Sequence, residues 1–192
     1  MDQRKKLKDQ VAEFISNKEF EELNSVSVLD LKKYMGVWYE IGTSFFVRLF
    51  IETLCTCTKA EYTLNPDGTV KVFNSCRVIN RDGNLRTATG IAKQENVLKP
   101  GQLTVSFGNM TSNKPNYYII HLDIENGKYK HALIGEPSRL FLWILSRKPK
   151  MSQSDYDRLL KIAEQNGFDV NSIQFRKTKQ DCEKYDSDDD SS

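Results

Sequence analysis

The stretch "GVWYEIG", Gly36–Gly42, decides how this sequence is read. It follows a short polar run, "DLKKYM". From Val37 onward apolar residues recur with period two, the spacing of a strand that buries one face. The feature to explain is a glycine two residues ahead of a tryptophan at the head of that strand. A second tryptophan stands far downstream in "LFLWILSRKP". There Trp143 alternates with Phe141, Leu145 and Arg147, so those four side chains share one strand face.

Strand signals continue outward from this point. "CTKAEYTL" (57–64) and "TVKVFNSCRV" (69–78) flank "NPDG". Pro presets φ for a turn, Asp tolerates the bridge region and Gly supplies positive φ, so the two runs are expected to form a hairpin. Further strand-like runs lie near 85–94, 102–107, 116–123, 128–135 and 140–146, separated by "RDGN", "KPG", "SNKP", "ENG" and "EPSR". Regular strands broken by turn chemistry imply an antiparallel sandwich or barrel. A helix follows near 153–166, with Ser152 or Ser154 as its cap, an apolar face of Leu159, Leu160, Ile162 and Ala163, and Gly167 as its stop. "FDVNSIQFRKT" reads as a last strand.

Upstream, Leu7, Val11, Phe14 and Ile15 form one helical stripe, so 3–23 is expected to be helical, with "NSVSVLD" as a linker. The division is then 1–27 as a helical extension, 28–180 as one domain and 181–192 as an acidic tail expected to be disordered. A chain of 192 residues is enough to bury a core without staples. A net charge of +2, with basic residues scattered, selects no nucleic acid. The dense basic cluster "DQRKKLKDQ" reads as a solvated helix face. Residues 11–20 are too broken by polar side chains for a secretory leader, and no later segment reaches the ~18 apolar residues of a membrane span. As it stands the chain reads as cytoplasmic; the alternative is an exported protein whose leader was removed.

Together the motifs resemble the lipocalin family. "GVWYEIG" resembles its first signature, Gly-x-Trp at the start of the first strand. "LDIENGKYKHALI" resembles the second, through Asp123 and Tyr129, and "LWILSRKP" the third, through Arg147. The likeness covers about residues 28–178 and is nearest to the branch of apolipoprotein D and the bacterial outer-membrane lipocalin. It implies an all-β fold: an eight-stranded antiparallel up-and-down barrel, a C-terminal α-helix and a final short strand, here with an extra N-terminal helix. It places Trp38 across the closed end with the Arg147 guanidinium stacked on it, a contact of about 2 kcal/mol when desolvated. Gly36 would let the chain enter the strand close to neighbouring backbone. With Arg147 at the plug, strand parity turns Trp143 to the pocket. The resemblance adds Tyr62 and Asn74 to the pocket wall, and Tyr118 is a further candidate.

Aromatic walls with few polar groups suit an amphiphile. The expected function is binding or transport of a small hydrophobic ligand, a fatty acid, lysophospholipid or similar lipid. The alternatives are a carrier of a tetrapyrrole or retinoid-like chromophore and a thiol-dependent lipid isomerase. The connection "TSFFVRLFIETL" is unusually apolar. Phe45, Phe46, Leu49 and Phe50 either pack on the barrel or form a lid, and Phe45, Phe46 and Phe50 are candidate membrane contacts.

No catalytic, metal or cofactor motif appears. There is no CxxC, GxSxG or phosphate-cradling glycine loop, and His121 and His131 read as ordinary strand histidines. The chain is therefore expected not to be an enzyme and to carry no cofactor. Four cysteines, Cys55, Cys57, Cys76 and Cys182, allow three full pairings. Closing the hairpin on "NPDG" sets Cys76 opposite Cys57 or one residue away, which leaves a Cys57–Cys76 bridge, or no bridge, open. The resemblance implies Cys57–Cys182 and Cys55–Cys76.

Overall fold

The computed structural model describes residues 3–108, 111–171 and 173–182; the rest of the acidic tail lies outside the described residues. Eight strands run up and down: β1 (Gly36–Ser44), β2 (Cys55–Leu64), β3 (Val70–Val78), β4 (Leu85–Lys93), β5 (Gln102–Phe107), β6 (Tyr117–Glu125), β7 (Lys128–Gly135) and β8 (Leu142–Ser146). Each pairs antiparallel with the next, and β1 also pairs with β8, which closes the barrel. A ninth, β9 (Phe175–Lys177), adds to β1 from outside. The β2–β3 turn forms as its residues require. Asn65 N–H donates to the Thr69 carbonyl at 2.8 Å, Asp67 accepts from Thr69, and Gly68 has φ +83°.

Strand alternation sorts apolar residues into two cores. The inner one gathers Trp38, Tyr62, Val72, Leu103, Ile134 and Leu145. The outer one gathers Leu133, Leu142 and Ile144 under α4 (Gln153–Gln165), which buries Tyr156, Leu159 and Ala163 there. Ser152 caps α4 by accepting from Asp155 N–H at 3.1 Å, worth about 1 kcal/mol. Asp123 clamps the same helix. Both its oxygens accept from Arg158, and His121 and His131 each lie 2.9 Å from one of them. Partial burial alone would raise the Asp123 carboxyl, but the hydrogen bonds from Arg158 and the two histidines hold it well below the usual range. The two histidines thus join Arg158 around Asp123 on the outside of the barrel, and Arg158 also donates to Asp155.

The N-terminal helix is shorter than its apolar stripe implies: α1 covers Gln3–Asn17. Beyond it the chain is pulled open onto the barrel. Arg139 donates to the carbonyls of Glu21 and Glu22, Leu23 is buried, and Val26 N–H donates to the Ile119 carbonyl at 2.8 Å. These outside partners replace the intrahelical bonds that residues 18–23 would otherwise make. α2 (Leu31–Tyr34) follows, capped by Asp30.

The cysteines pair as Cys55–Cys76 and Cys57–Cys182, with Cα separations of 5.5 and 6.0 Å. A β-bulge decides this. Between the pairs Thr56↔Arg77 and Lys59↔Ser75, two residues of β2 face only Cys76. Cys57 takes φ +53°, which turns it out of the ladder, and its N–H donates to the Lys179 carbonyl at 2.7 Å on the segment that carries Cys182. Simple hairpin counting could not see that extra residue.

Candidate ligand-binding cavity

The barrel encloses a cavity of about 450 Å³. At one end the floor is built on β1 and α2. Trp38 is fully buried, its indole N–H donating to the Tyr34 carbonyl at 2.9 Å. The Arg147 guanidinium carbon lies 3.8 Å from the indole ring centre. Arg147 also donates to the carbonyls of Lys33, Tyr34, Met35 and Val37. It thus satisfies the backbone oxygens that a short helix leaves at its C-terminal end. Gly36 has a different role from close backbone approach. Its φ is +90°, and the nearest atom to an added Cβ would be Arg147 Nη1 at an ordinary 3.5 Å, so the requirement is conformational.

Above the plug sits a trio of tyrosines. Tyr117 Oη lies 2.8 Å from Tyr34 Oη and 3.1 Å from Tyr62 Oη. Burial pushes the Tyr62 phenol up to about 12 and those of Tyr34 and Tyr117 well above their ordinary value, so all three stay neutral donors and acceptors.

One wall of the cavity is polar. β1 and β2 are paired only from Gly36↔Tyr62 to Tyr39↔Lys59. Past that point the strands part, and Gln180 bridges the carbonyls of Glu40 and Thr58. Glu40 projects there, only 2% exposed, with Thr178 Oγ1 donating to its Oε1. Burial pushes its carboxyl well above the usual range, and the charge of nearby Glu52 adds to this. Glu40 and Glu52 are neighbours, and burial together with the charge of Glu52 favours the protonated form of Glu40. Burial raises Glu52 as well, while its Oε1 accepts from the Trp143 indole N–H at 3.3 Å. Thr58 Oγ1 and Asn74 Oδ1, on the same stretch of wall, are buried without a partner.

The mouth is rimmed by α3 (Phe45–Phe50), so the apolar connection is a short helix. Phe46 packs on Phe50 and Phe141, and Phe141 stacks on Trp143. Phe45, by contrast, is 37% exposed, beside Ile51 at 54% and Leu54 at 63%. α1 reaches over this rim: Ile15 joins the cavity wall and Lys8 Nζ donates to the Phe50 carbonyl.

Tyr62, Asn74 and Trp143 all line the cavity. Tyr118 does not. On β6 the inward position belongs to Tyr117, and Tyr118 turns to the outer core with Leu23 and Phe168. Sequence reading also passed over Tyr34, Glu40 and Glu52. Glu40 had a signal, since it shares strand parity with Trp38 and a charged residue on an inward face needs a reason. Glu52 and Tyr34 lie outside the strands, where parity says nothing.

Comparison with known proteins gives consistent results. Residues 29–178 match the lipocalin-like domain family. Temperature-induced lipocalin-1 of Arabidopsis thaliana is 34% identical over 158 residues, covering 81% of this chain and 82% of that protein. The outer membrane lipoprotein Blc of Escherichia coli K12 is 37% identical over 145 residues, covering 76% and 77%. Apolipoprotein D of Mus musculus is 32% identical over 148 residues, covering 73% and 72%. Among solved structures, the cockroach allergen Per a 4 superposes with a TM-score of 0.62 at 18% identity, covering 88% of this chain and all of that one. Insecticyanin of the tobacco hornworm Manduca sexta gives 0.61 at 19% identity, covering 84% and 86%.

Proposed function

The chain belongs to the lipocalin family, whose members bind small hydrophobic ligands, and on that premise we propose that it holds a single-chain lipid inside its barrel. One observation carries the reading: a cavity of about 450 Å³ whose wall is mostly apolar, from Leu31, Val70, Val72, Leu103, Val105 and Ile134. That volume lies within the ~300–1,000 Å³ of small-molecule sites, and apolar burial with a few placed polar groups is how such sites bind. Fatty acids, lysophospholipids and similar amphiphiles have the matching shape. The pairing of all four sulfurs supports binding over a thiol-dependent isomerase, which would first need one bridge reduced.

Delivery through the α3 rim fits the same reading. Phe45, Ile51 and Leu54 are the exposed apolar side chains there, so we expect them, rather than the packed Phe46 and Phe50, to meet a lipid surface. The deciding experiment is native mass spectrometry of the purified protein with identification of extracted lipids. A stoichiometric single-chain lipid is the expected result. A coloured protein with a bound tetrapyrrole or retinoid would replace this reading. An empty barrel that binds no fatty acid or lysophospholipid on titration would end it.

A further inference from the structure

We propose that the polar wall of the cavity is a subsite for a protonated amine, so that the preferred ligand is a long-chain primary amine with its head at Glu52 and Glu40. This rests on the reading that the barrel holds a single-chain amphiphile, and it specifies the head group.

The wall is rich in buried acceptor oxygens. Of the five buried side-chain oxygens without a partner among the described residues, four belong to this cavity: Glu40 Oε2, Glu52 Oε2, Thr58 Oγ1 and Asn74 Oδ1. They come from three adjacent strands, β1, β2 and β3, and from the segment after α3. Glu40 and Thr58 are 2% and 7% exposed, so bulk water does not serve them. A hydrogen bond between the two carboxyls would occupy one of these oxygens, and Thr58 and Asn74 each carry donors of their own, but acceptor lone pairs still outnumber donors on this wall. A buried acceptor without a donor is costly, and a ligand that brings donors removes that cost.

Charge points the same way. Burial disfavours the charged form of both carboxyls, and a cationic head placed between them is the partner that would let them ionise. Among the described residues Glu52 has no cationic partner; its contacts are Glu40 and the Trp143 indole. The cations nearby are engaged elsewhere. Arg48 approaches Glu40, but its guanidinium donates to the carbonyls of Thr43 and Ile173. Arg176 flanks Arg48 on the outer strand β9. Arg147 is stacked on Trp38 at the floor. Lys59 borders the wall from a β2 position that alternates with the inward Thr58 and Ala60.

An alkylammonium supplies one positive charge and three N–H donors, no acceptor, and an apolar tail for the opposite wall of Leu103, Val105 and Ile134. A fatty-acid carboxylate would add a third carboxyl and further lone pairs to a wall already short of donors, which is like-charge juxtaposition in a desolvated site. A long-chain alcohol brings one donor and no charge, and ranks between them.

The test uses decylamine, decanol and decanoate, three probes with the same tail, titrated calorimetrically into the full chain at neutral pH. Decylamine should bind tighter than decanoate by about 30-fold or more, the scale for a desolvated charge pair. In Glu52→Gln, which keeps an acceptor for Trp143 but removes the charge, that preference should collapse to within about threefold. Asn74→Leu removes one acceptor without touching the carboxyls and should weaken decylamine by about fivefold. A urea midpoint for each variant checks that it is folded. Decanoate binding as tightly as decylamine overturns the inference, as does a preference that survives Glu52→Gln. If none of the three probes binds, the single-chain lipid reading itself fails and this inference goes with it.

Discussion

The two ends of the cavity treat polar atoms in opposite ways. At the floor, Arg147 satisfies four carbonyls, the Trp38 N–H has its acceptor, and three tyrosine hydroxyls satisfy one another. Toward the mouth, the Glu40 and Glu52 carboxyls lie close together, and Glu40, Glu52, Thr58 and Asn74 each have an oxygen with no partner among the described residues. The floor is held by hydrogen bonds and stacking. The mouth, where β2 begins, is held by covalent links, since both disulfides start there, at Cys55 and Cys57. A wall left open for a ligand cannot be packed as tightly as a plug, and crosslinks are one way to hold such a wall in place. The polar atoms of the floor are thus largely satisfied, while most of the unsatisfied ones among the described residues lie toward the mouth.

Breaking the crosslinks should have the largest effect. Cys57–Cys182 closes a loop with a sequence separation of 125, and the chain-entropy account gives about 4–5 kcal/mol for such a bridge. Cys57→Ser with Cys182→Ser should lose stability on that scale in urea, and hydrogen exchange should rise first around the mouth rather than the floor. Non-reducing peptide mapping of protein from its native compartment should recover Cys55–Cys76 and Cys57–Cys182; four alkylatable thiols would show that the mouth is not stapled there.

Next comes the plug. Arg147→Met leaves four carbonyls without their donor and should cost about 3 kcal/mol, with little change in ligand affinity per folded molecule. Trp38→Phe should cost about 2 kcal/mol through lost stacking, and the ligand-dependent fluorescence change should remain.

Trp143→Phe should do the reverse: remove most of that fluorescence change and weaken binding by about 1–2 kcal/mol, with the urea midpoint nearly unmoved. If Trp38→Phe abolishes the ligand signal and Trp143→Phe preserves it, floor and wall have been assigned to the wrong ends.

The smallest effect is a gain. Glu40 keeps its proton in the folded state at pH values where the unfolded chain has lost it, so stability falls as pH rises above about 4.3 toward the raised value. Glu40→Gln should therefore be more stable at neutral pH, by on the order of 1 kcal/mol, and its stability should be flatter as pH rises above about 4.3. A destabilised Glu40→Gln would mean that the carboxyl is already well served and that the wall is structural.

Much of this was legible along the chain. Period-two runs between turn residues specify an antiparallel sheet, because backbone geometry alone sends alternate side chains to opposite faces. The likeness to the lipocalins paired Trp38 with Arg147, and with Arg147 so placed the same rule turns Trp143 inward. Parity failed where the ladder was irregular or absent. The bulge at Cys57 defeated hairpin counting, and Tyr117 and Tyr118 could be told apart only by knowing which of two adjacent strand positions faces inward.

Local periodicity and turn chemistry by themselves determined an antiparallel β fold and its capping helix, while the closed barrel and the Trp38–Arg147 plug were implied by the likeness of the motifs to the lipocalins. The polar wall was decided by the tertiary structure alone. Glu40, Glu52, Thr58 and Asn74 come from four separate segments, and a carboxyl holds its proton more tightly only when another chain segment removes it from water. Desolvation belongs to the assembled barrel, and no window of neighbouring residues carries it.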